Sequence, residues 1–182
     1  DKPIVGASLI QRLQMMEMIA AADPLSTMQC GVTAHPLFID KAAALQSLYG
    51  EGTRVYVLIG YDTWVRIIDP KYYPAGTLDQ VLEKLFTAVD IIVTSREVGD
   101  ASAGNEVSLE TQREQVAELA ERVGKGRLHF LPNDPVMAQY SSSALRAAIV
   151  AGEPERALTM LPECLHSYVK GYGLYGYGCR PE

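Results

Sequence analysis

Apolar residues follow two different spacings along this chain, and the two alternate. Short continuous runs occupy residues 55–59, 91–93 and 128–131, and a weaker run occupies residues 28–33. Continuous apolarity over so few residues is typical of strands that are buried on both faces, as in a parallel sheet. We therefore predict three or four parallel strands, separated by longer stretches of another periodicity.

Those longer stretches carry apolar residues at helical spacing. The clearest stripes lie within residues 9–20, 78–85 and 109–123, and further helices are predicted at 142–151, 153–160 and 162–170. Thr77 and Gln80 have the spacing of a capping box at the start of the second stripe. The alternation of strands and helices predicts an α/β fold with right-handed crossovers and helices on both faces of the sheet.

Length and composition restrict the kind of protein. A chain of 182 residues, 48% hydrophobic and 21% charged, predicts one soluble globular domain over residues 1–182. The net charge of −6 argues against broad nucleic-acid binding, which needs a basic face. No run approaches the ~18 apolar residues of a membrane span, and no signal peptide is visible. Residues 97–107 are rich in small and polar residues and predict a mobile surface loop.

The sparse cysteines and histidines argue against several catalytic classes. The three cysteines include no Cys-x-x-Cys pair, which favours a reduced intracellular protein, cytoplasmic or nuclear. The three histidines lack metal-ligand spacing, so we predict no protein-held metal. A Gly-x-Ser-x-Gly elbow and a Walker-type phosphate loop are absent as well, which disfavours protease, esterase and P-loop functions.

The first candidate site is the segment 140–146, Tyr-Ser-Ser-Ser-Ala-Leu-Arg. Its hydroxyls stand where a helix is predicted to begin, and Arg146 follows one turn later. A helix start offers unpaired N–H groups and the positive end of the macrodipole, and arginine adds a planar charged fork, so the pattern suits phosphate oxygens. An ordinary serine cap with a surface arginine is the alternative, and the commoner arrangement.

Two of the predicted strands end in residues that suit a nucleotide. Gly60 and Asp62 follow the first strand, and Arg96 follows the second. In an open parallel sheet, ligands sit beyond the carboxyl ends of the strands, where glycine permits close approach and a carboxylate can accept from ribose hydroxyls. The alternatives are a helix cap for Asp62 and a solvated surface charge for Arg96.

An aromatic loop follows at residues 69–74, Asp-Pro-Lys-Tyr-Tyr-Pro. Its two tyrosines lie beside Lys71 and could stack on a base or a pyridinium ring. The local pattern favours the alternative, in which both tyrosines cover the core.

Taken together, these motifs resemble the nicotinamide mononucleotide adenylyltransferase family of the nucleotidylyltransferase superfamily, and most of all its divergent fungal branch. The serine-rich block resembles the family's Ile-Ser-Ser-Thr-x-x-Arg signature, and Pro162, Tyr168 and Leu174-Tyr175 match the ending behind it. The resemblance covers about residues 9–175. It implies a Rossmann-like nucleotidylyltransferase fold, with a parallel sheet between helices.

The resemblance also implies a phosphate site. Ser142, Ser143 and Arg146 would bind the phosphates of ATP, and Arg146 would be catalytic. The implied reaction transfers AMP from ATP to nicotinamide mononucleotide, forms NAD and pyrophosphate, and uses Mg²⁺ that accompanies ATP. The expected partners are therefore ATP and a small mononucleotide, with neither nucleic acid nor membrane.

For the rest of the site, the resemblance implies roles at the strand ends and in the aromatic loop. Gly60, Asp62 and Arg96 would line the ribose and base site. Tyr73 or Trp64 would stack on the nicotinamide ring of the acceptor. Three alternatives remain open: a catalytically impaired nucleotide-binding or regulatory protein, a sister nucleotidylyltransferase, and an ATP hydrolase that uses the same site.

One signature of the family has no counterpart in the chain. A Gly-rich turn with a His-x-x-His or Thr-x-x-His pair follows the first strand in the family, and here it would lie before Asp1. Because that strand is the middle of the family's sheet, we expect a preceding N-terminal segment to supply it. The alternative is a shortened product that completes its sheet by dimerising or exchanging a strand, as a homo-oligomer.

Overall fold

The computed structural model describes residues 6–96 and 107–178. The predicted surface loop, apart from Val107, lies outside the described residues. The chain divides into two compact units. The terminal unit combines the residues up to Val32 with those from Tyr140 onward, and the sheet unit runs from Thr33 to Gln139. The single domain over residues 1–182 stays a prediction.

The sheet unit is built on three parallel strands within the described residues. They are β1 (Tyr56–Gly60), β2 (Asp90–Thr94) and β3 (Leu128–Leu131). The strand order is β1-β2-β3, and the register aligns Gly60 with Thr94 and Thr94 with Leu131. The three strands therefore end together at one edge of the sheet. This confirms the α/β class and the parallel sheet.

The α-helices come in chain order before, between and after the strands. Across the described parts of the chain they are α1 (Leu9–Ala21), α2 (Phe38–Tyr49), α3 (Tyr61–Ile67), α4 (Leu78–Ala88), α5 (Leu109–Leu119), α6 (Pro135–Ala138), α7 (Ser142–Val150), α8 (Pro154–Leu158) and α9 (His166–Gly171). None of these helices has the length and apolarity needed to cross a bilayer.

The main hydrophobic core of the sheet unit fills one face of the sheet. Alternate strand residues meet side chains from α2 to α5 there: Val57, Ile59, Ile91, Val93, Leu128, Phe130, Ala42, Trp64, Leu82, Phe86, Val116 and Leu119. On the opposite face, Tyr56, Leu58 and Leu131 are 52%, 64% and 50% exposed. Continuous apolarity predicted burial on both faces, whereas burial alternates in β1 because these helices pack on one face.

The terminal unit holds residues from both ends of the chain together. The N–H of Tyr175 donates to the carbonyl of Gly6 at 2.9 Å, and the Tyr168 hydroxyl donates to the side chain of Gln14. Gly6 has φ +85°, and a Cβ there would lie 2.5 Å from a ring carbon of Tyr175. Only glycine fits this position, because both its backbone angle and the close approach exclude a side chain.

Two local predictions are wrong. Residues 28–33 form no strand, and the chain enters this segment from a turn in which the Asp23 carboxylate accepts from the N–H groups of Thr27 and Met28, at 2.6 and 3.0 Å. Thr77 precedes α4 but forms no capping box, since its hydroxyl donates to the carbonyl of Pro74 at 2.8 Å. A capping box forms instead at the start of α1, between Ser8 and Gln11.

A buried carboxylate joins two strands at the amino edge of the sheet. Asp90 has no exposed surface, and it accepts from Nε and Nη2 of Arg54 at 3.0 and 2.7 Å. Arg127 lies 3.8 Å from the same carboxylate. The hydrogen bond from Arg54 holds the pKa of Asp90 below its usual value, and the charge of Arg127 acts in the same direction.

Replacing Asp90 with asparagine is expected to lower the free energy of unfolding by about 1–2 kcal/mol, because a charge-assisted fork is lost. The pKa of Asp90 is lower in the folded chain than in the unfolded chain. The stabilisation is therefore present above a pH of about 4 and is lost as the pH falls through the folded value. Urea unfolding at pH 7 and at decreasing pH measures both effects.

The matched control for this prediction is Glu83→Gln. Glu83 pairs with Lys125 at 3.2 Å, and both side chains are well exposed, so its stability should change by less than about 0.5 kcal/mol. An Asp90→Asn variant as stable as wild type at pH 7, or a difference that grows in acid, would contradict the prediction.

Candidate functional site

The carboxyl edge of the sheet brings two of the predicted site residues into contact. Asp62 lies in the first turn of α3, after β1, and Arg96 lies two residues beyond β2. Nη1 of Arg96 is 2.5 Å from Oδ2 of Asp62, and the two side chains are 48% and 53% exposed. An ion pair so open to water contributes about 0–1 kcal/mol, so a ligand could replace either partner at little cost.

The structure excludes the alternative in which Asp62 caps a helix. The N-cap of α3 is Gly60, which makes no side-chain bond, and the carboxylate of Asp62 is directed to Arg96. Gly60 itself is exposed, and a Cβ added there would meet nothing within 4 Å. The strand end therefore combines open space with an accessible carboxylate.

The ends of β2 and β3 are tied together behind this pair. Ser95 is 5% exposed, and its hydroxyl and carbonyl accept from the backbone and side-chain N–H groups of Asn133, at 2.8 and 2.6 Å. The N–H of Ser95 donates to the carbonyl of Leu131 at 3.1 Å. The backbone of Arg96 thus follows a rigid strand end, and the side chain of Arg96 extends into solvent.

The two aromatic candidates occupy very different surroundings. Trp64 has no exposed surface, lies in the main core, and its Nε1 lacks a hydrogen-bond partner among the described residues. In this conformation neither face of its indole ring is accessible for stacking on the ring of a ligand. Tyr73 is half-buried, and its hydroxyl donates to the carbonyl of Ile67 at 2.5 Å. Burial raises the pKa of Tyr73, so it stays a neutral donor at physiological pH.

The remaining predicted residues lie in the terminal unit, at the start of α7. Ser141 is the N-cap, and its Oγ accepts from the N–H of Ala144 at 3.0 Å. Ser142 and Ser143 are exposed and occupy the first two helical positions, where backbone N–H groups have no partner inside the helix. The cap function therefore belongs to Ser141, and neither Ser142 nor Ser143 is used as the cap.

Arg146 lies one turn into α7 with its charge uncompensated. Its Nη2 is 3.3 Å from the hydroxyl of Ser143, and within residues 6–96 and 107–178 it forms no ion pair. The first turn of α7 contains no acidic residue, although acidic side chains are favourable at that position. Two hydroxyls, free N–H groups and a guanidinium thus present positive potential together, as a phosphate requires.

Sequence reasoning missed the residue that holds the backbone of Arg96. Gln112 is 2% exposed, and its side-chain amide bonds both the N–H and the carbonyl of Arg96. The signal was present in the sequence, because Gln112 interrupts the apolar stripe of Leu109, Val116 and Leu119 on α5. A lone amide on an apolar face has to find buried partners.

No group of three or more His, Cys, Asp or Glu side chains could hold a metal ion in the part of the chain that the structure describes. Mg²⁺ in nucleotide enzymes is usually held by substrate phosphates with one or two carboxylates, and it needs no such group.

The fold and these strand ends define a class of protein. A parallel sheet with helices, polar residues at the carboxyl edge, and an uncompensated helix start are consistent with a Rossmann-like nucleotidyltransferase. No protein-family model matches the chain. The chain is 28% identical to a Schizosaccharomyces pombe protein named "Putative nicotinamide mononucleotide adenylyltransferase", over 93% of this chain and 69% of the relative. This similarity confirms the family-level resemblance seen in the sequence.

Two of the serines before Arg146, Ser141 and Ser142, should differ in their effect on stability. Ser141→Ala removes the cap and is expected to lower the free energy of unfolding by about 1 kcal/mol. Ser142→Ala should change it by less than about 0.5 kcal/mol, because that hydroxyl is exposed and alanine is a good helix former. Urea unfolding of both variants measures the difference, and equal losses would refute the assignment of the cap.

Proposed function

We propose that the protein is an adenylyltransferase that transfers AMP from ATP to nicotinamide mononucleotide and forms NAD and pyrophosphate. The observation that carries the proposal is the guanidinium of Arg146, which forms no ion pair within the described residues and lies at the same helix start as the exposed Ser142 and Ser143. A helix start with an arginine in its first turns is suited to a polyphosphate, and the similarity to the fission-yeast protein supports the choice of a nucleotidyltransferase.

The reaction needs no nucleophile from the protein. A phosphate oxygen of the mononucleotide attacks the α-phosphorus of ATP, the bond from that phosphorus to the bridging oxygen breaks, and pyrophosphate leaves with the electron pair. The enzyme contributes position and positive potential, which stabilise the charge that develops on the transferred and departing groups. Arg146, Ser142, Ser143 and the N–H groups of the first turn of α7 are the groups that we assign to this role.

We assign roles of their own in nucleotide binding to the residues at the carboxyl edge of the sheet. Asp62 would accept from ribose hydroxyls, Gly60 would leave room for the nucleotide, and Arg96 would contact its ribose, base or phosphate. Of the two aromatic candidates, Tyr73 retains exposed surface on which the nicotinamide ring could stack. When bound with ATP, Mg²⁺ would supply Lewis-acid stabilisation of the phosphate charge.

The direct test incubates the purified protein with ATP, nicotinamide mononucleotide and Mg²⁺, and identifies the products by mass spectrometry. Equal amounts of NAD and pyrophosphate are expected. Formation of ADP and phosphate would replace the proposal with an ATP hydrolase, and AMP transfer to other acceptors alone would replace it with a sister transferase. ATP binding without any product would indicate a nucleotide-binding protein.

Arg146→Ala is expected to weaken ATP binding and slow turnover by about ten- to hundredfold, since a charge-assisted contact is worth about 1.5–3 kcal/mol. Steady-state kinetics with varied ATP and direct ATP titration measure the two effects. Arg156→Ala is the matched control, because Arg156 lies on α8, is well exposed and pairs with Glu153. Unchanged ATP affinity in Arg146→Ala, or an equal loss in the control, would remove Arg146 from the site.

A further inference from the structure

Gln112 uses its whole side-chain amide to hold two backbone segments. Its Oε1 accepts from the N–H of Arg96 at 3.1 Å, and its Nε2 donates to the carbonyls of Arg96 and Val107 at 2.8 and 3.0 Å. Both donors and the acceptor are therefore engaged in a buried environment. A buried amide that is fully bonded at three points is a rigid connection, because any displacement leaves a polar group unpaired.

The contact extends the sheet beyond the end of β2. Strand pairing stops at Ser95, whose N–H still bonds Leu131 of β3. At Arg96 the side-chain amide of Gln112 bonds both the N–H and the carbonyl, as a neighbouring strand would. The backbone angles of Arg96 are thereby determined, and with them the direction in which its side chain leaves the backbone.

We propose that Gln112 is a positioning residue, which orients Arg96 for contact with the bound nucleotide through two hydrogen bonds to its backbone. The side chain of Arg96 is half-exposed, and its one described partner is the similarly exposed Asp62. Such an open pair cannot hold the guanidinium in place by itself. The position of the guanidinium therefore depends on the backbone of Arg96. Gln112 of α5 holds that backbone through its hydrogen bonds to the N–H and carbonyl of Arg96.

The helix that carries Gln112 is well anchored, which makes it a suitable support. Val116 and Leu119, on the same face of α5, are 1% and 7% exposed and lie in the main core. The side-chain amide of Gln112 thus links the backbone of Arg96, at the carboxyl edge of the sheet, to a helix that packs into the hydrophobic core. Binding sites depend on supports of this kind, because an error of about 1 Å at a charged contact weakens it strongly.

This inference rests on the proposed function, and a double-mutant cycle between Gln112 and Arg96 tests it. Gln112→Met keeps the length of the side chain and removes its hydrogen bonds. With Arg96 present it is expected to raise the ATP dissociation constant by about fivefold, and in an Arg96→Ala background by less than about twofold. A merely structural role predicts the same factor in both backgrounds.

Two controls and a replacement variant make the result specific. Circular dichroism and urea unfolding establish that each variant is folded at the assay temperature. Gln80→Met changes an exposed glutamine of α4 in the same way and should leave ATP binding unchanged. Should Gln112→Met not fold, Gln112→Asn enters the same cycle, because it keeps a neutral amide that is one methylene too short to make the same hydrogen bonds.

The outcomes separate this inference from the proposed function. Coupling between the two positions in ATP binding supports Gln112 as a positioning residue, whether or not NAD is formed. Equal effects in both backgrounds overturn it, even where wild type forms NAD. ATP binding without NAD formation overturns the proposed function alone, and a wild-type protein that binds no ATP overturns both.

Discussion

Parallel pairing of β2 with a strand on each side is the constraint on which the sheet unit depends. It aligns the three strand ends at one edge, so that residues distant in sequence, such as Asp62 and Arg96, come into contact. At the other edge the same pairing buries Asp90, which is compatible with folding only because Arg54 satisfies its charge. A slip of one residue in this register would disrupt both edges.

The two groups of candidate residues offer different chemistry. Asp62 and Arg96 neutralise one another, stand in water, and can exchange one partner for a ligand at small cost. Arg146 has no such partner among the described residues, and the helix start beside it adds further positive potential. Phosphate binding at α7 and sugar recognition at the strand ends are therefore the assignments that these electrostatics favour.

The sequence indicated the candidate residues by type, whereas their surroundings came only from the structure. Serines before a helix indicated a cap and exposed hydroxyls, but which serine caps depends on the residue at which the helix begins. Trp64 was a candidate for stacking because aromatic side chains suit both ligands and cores, and only its complete burial in the structure showed that it lies in the core. Gln112 was overlooked because its partners are backbone groups of Arg96 and Val107, which no side-chain motif reveals.

The sequence by itself determined the three strands, the amphipathic helices α1, α4, α5 and α7, and the polar residues that end the strands, because these follow from local periodicity and helix signals. Helices α2, α3 and α6 escaped prediction; α3 and α6 span only seven and four residues, too few for a clear periodic pattern. Only the tertiary structure decided that residues 28–33 form no strand in the described part of the chain, that one face of β1 stays exposed, and which polar groups meet. Those outcomes depend on contacts between segments that are distant in the sequence, and local sequence patterns do not predict such contacts.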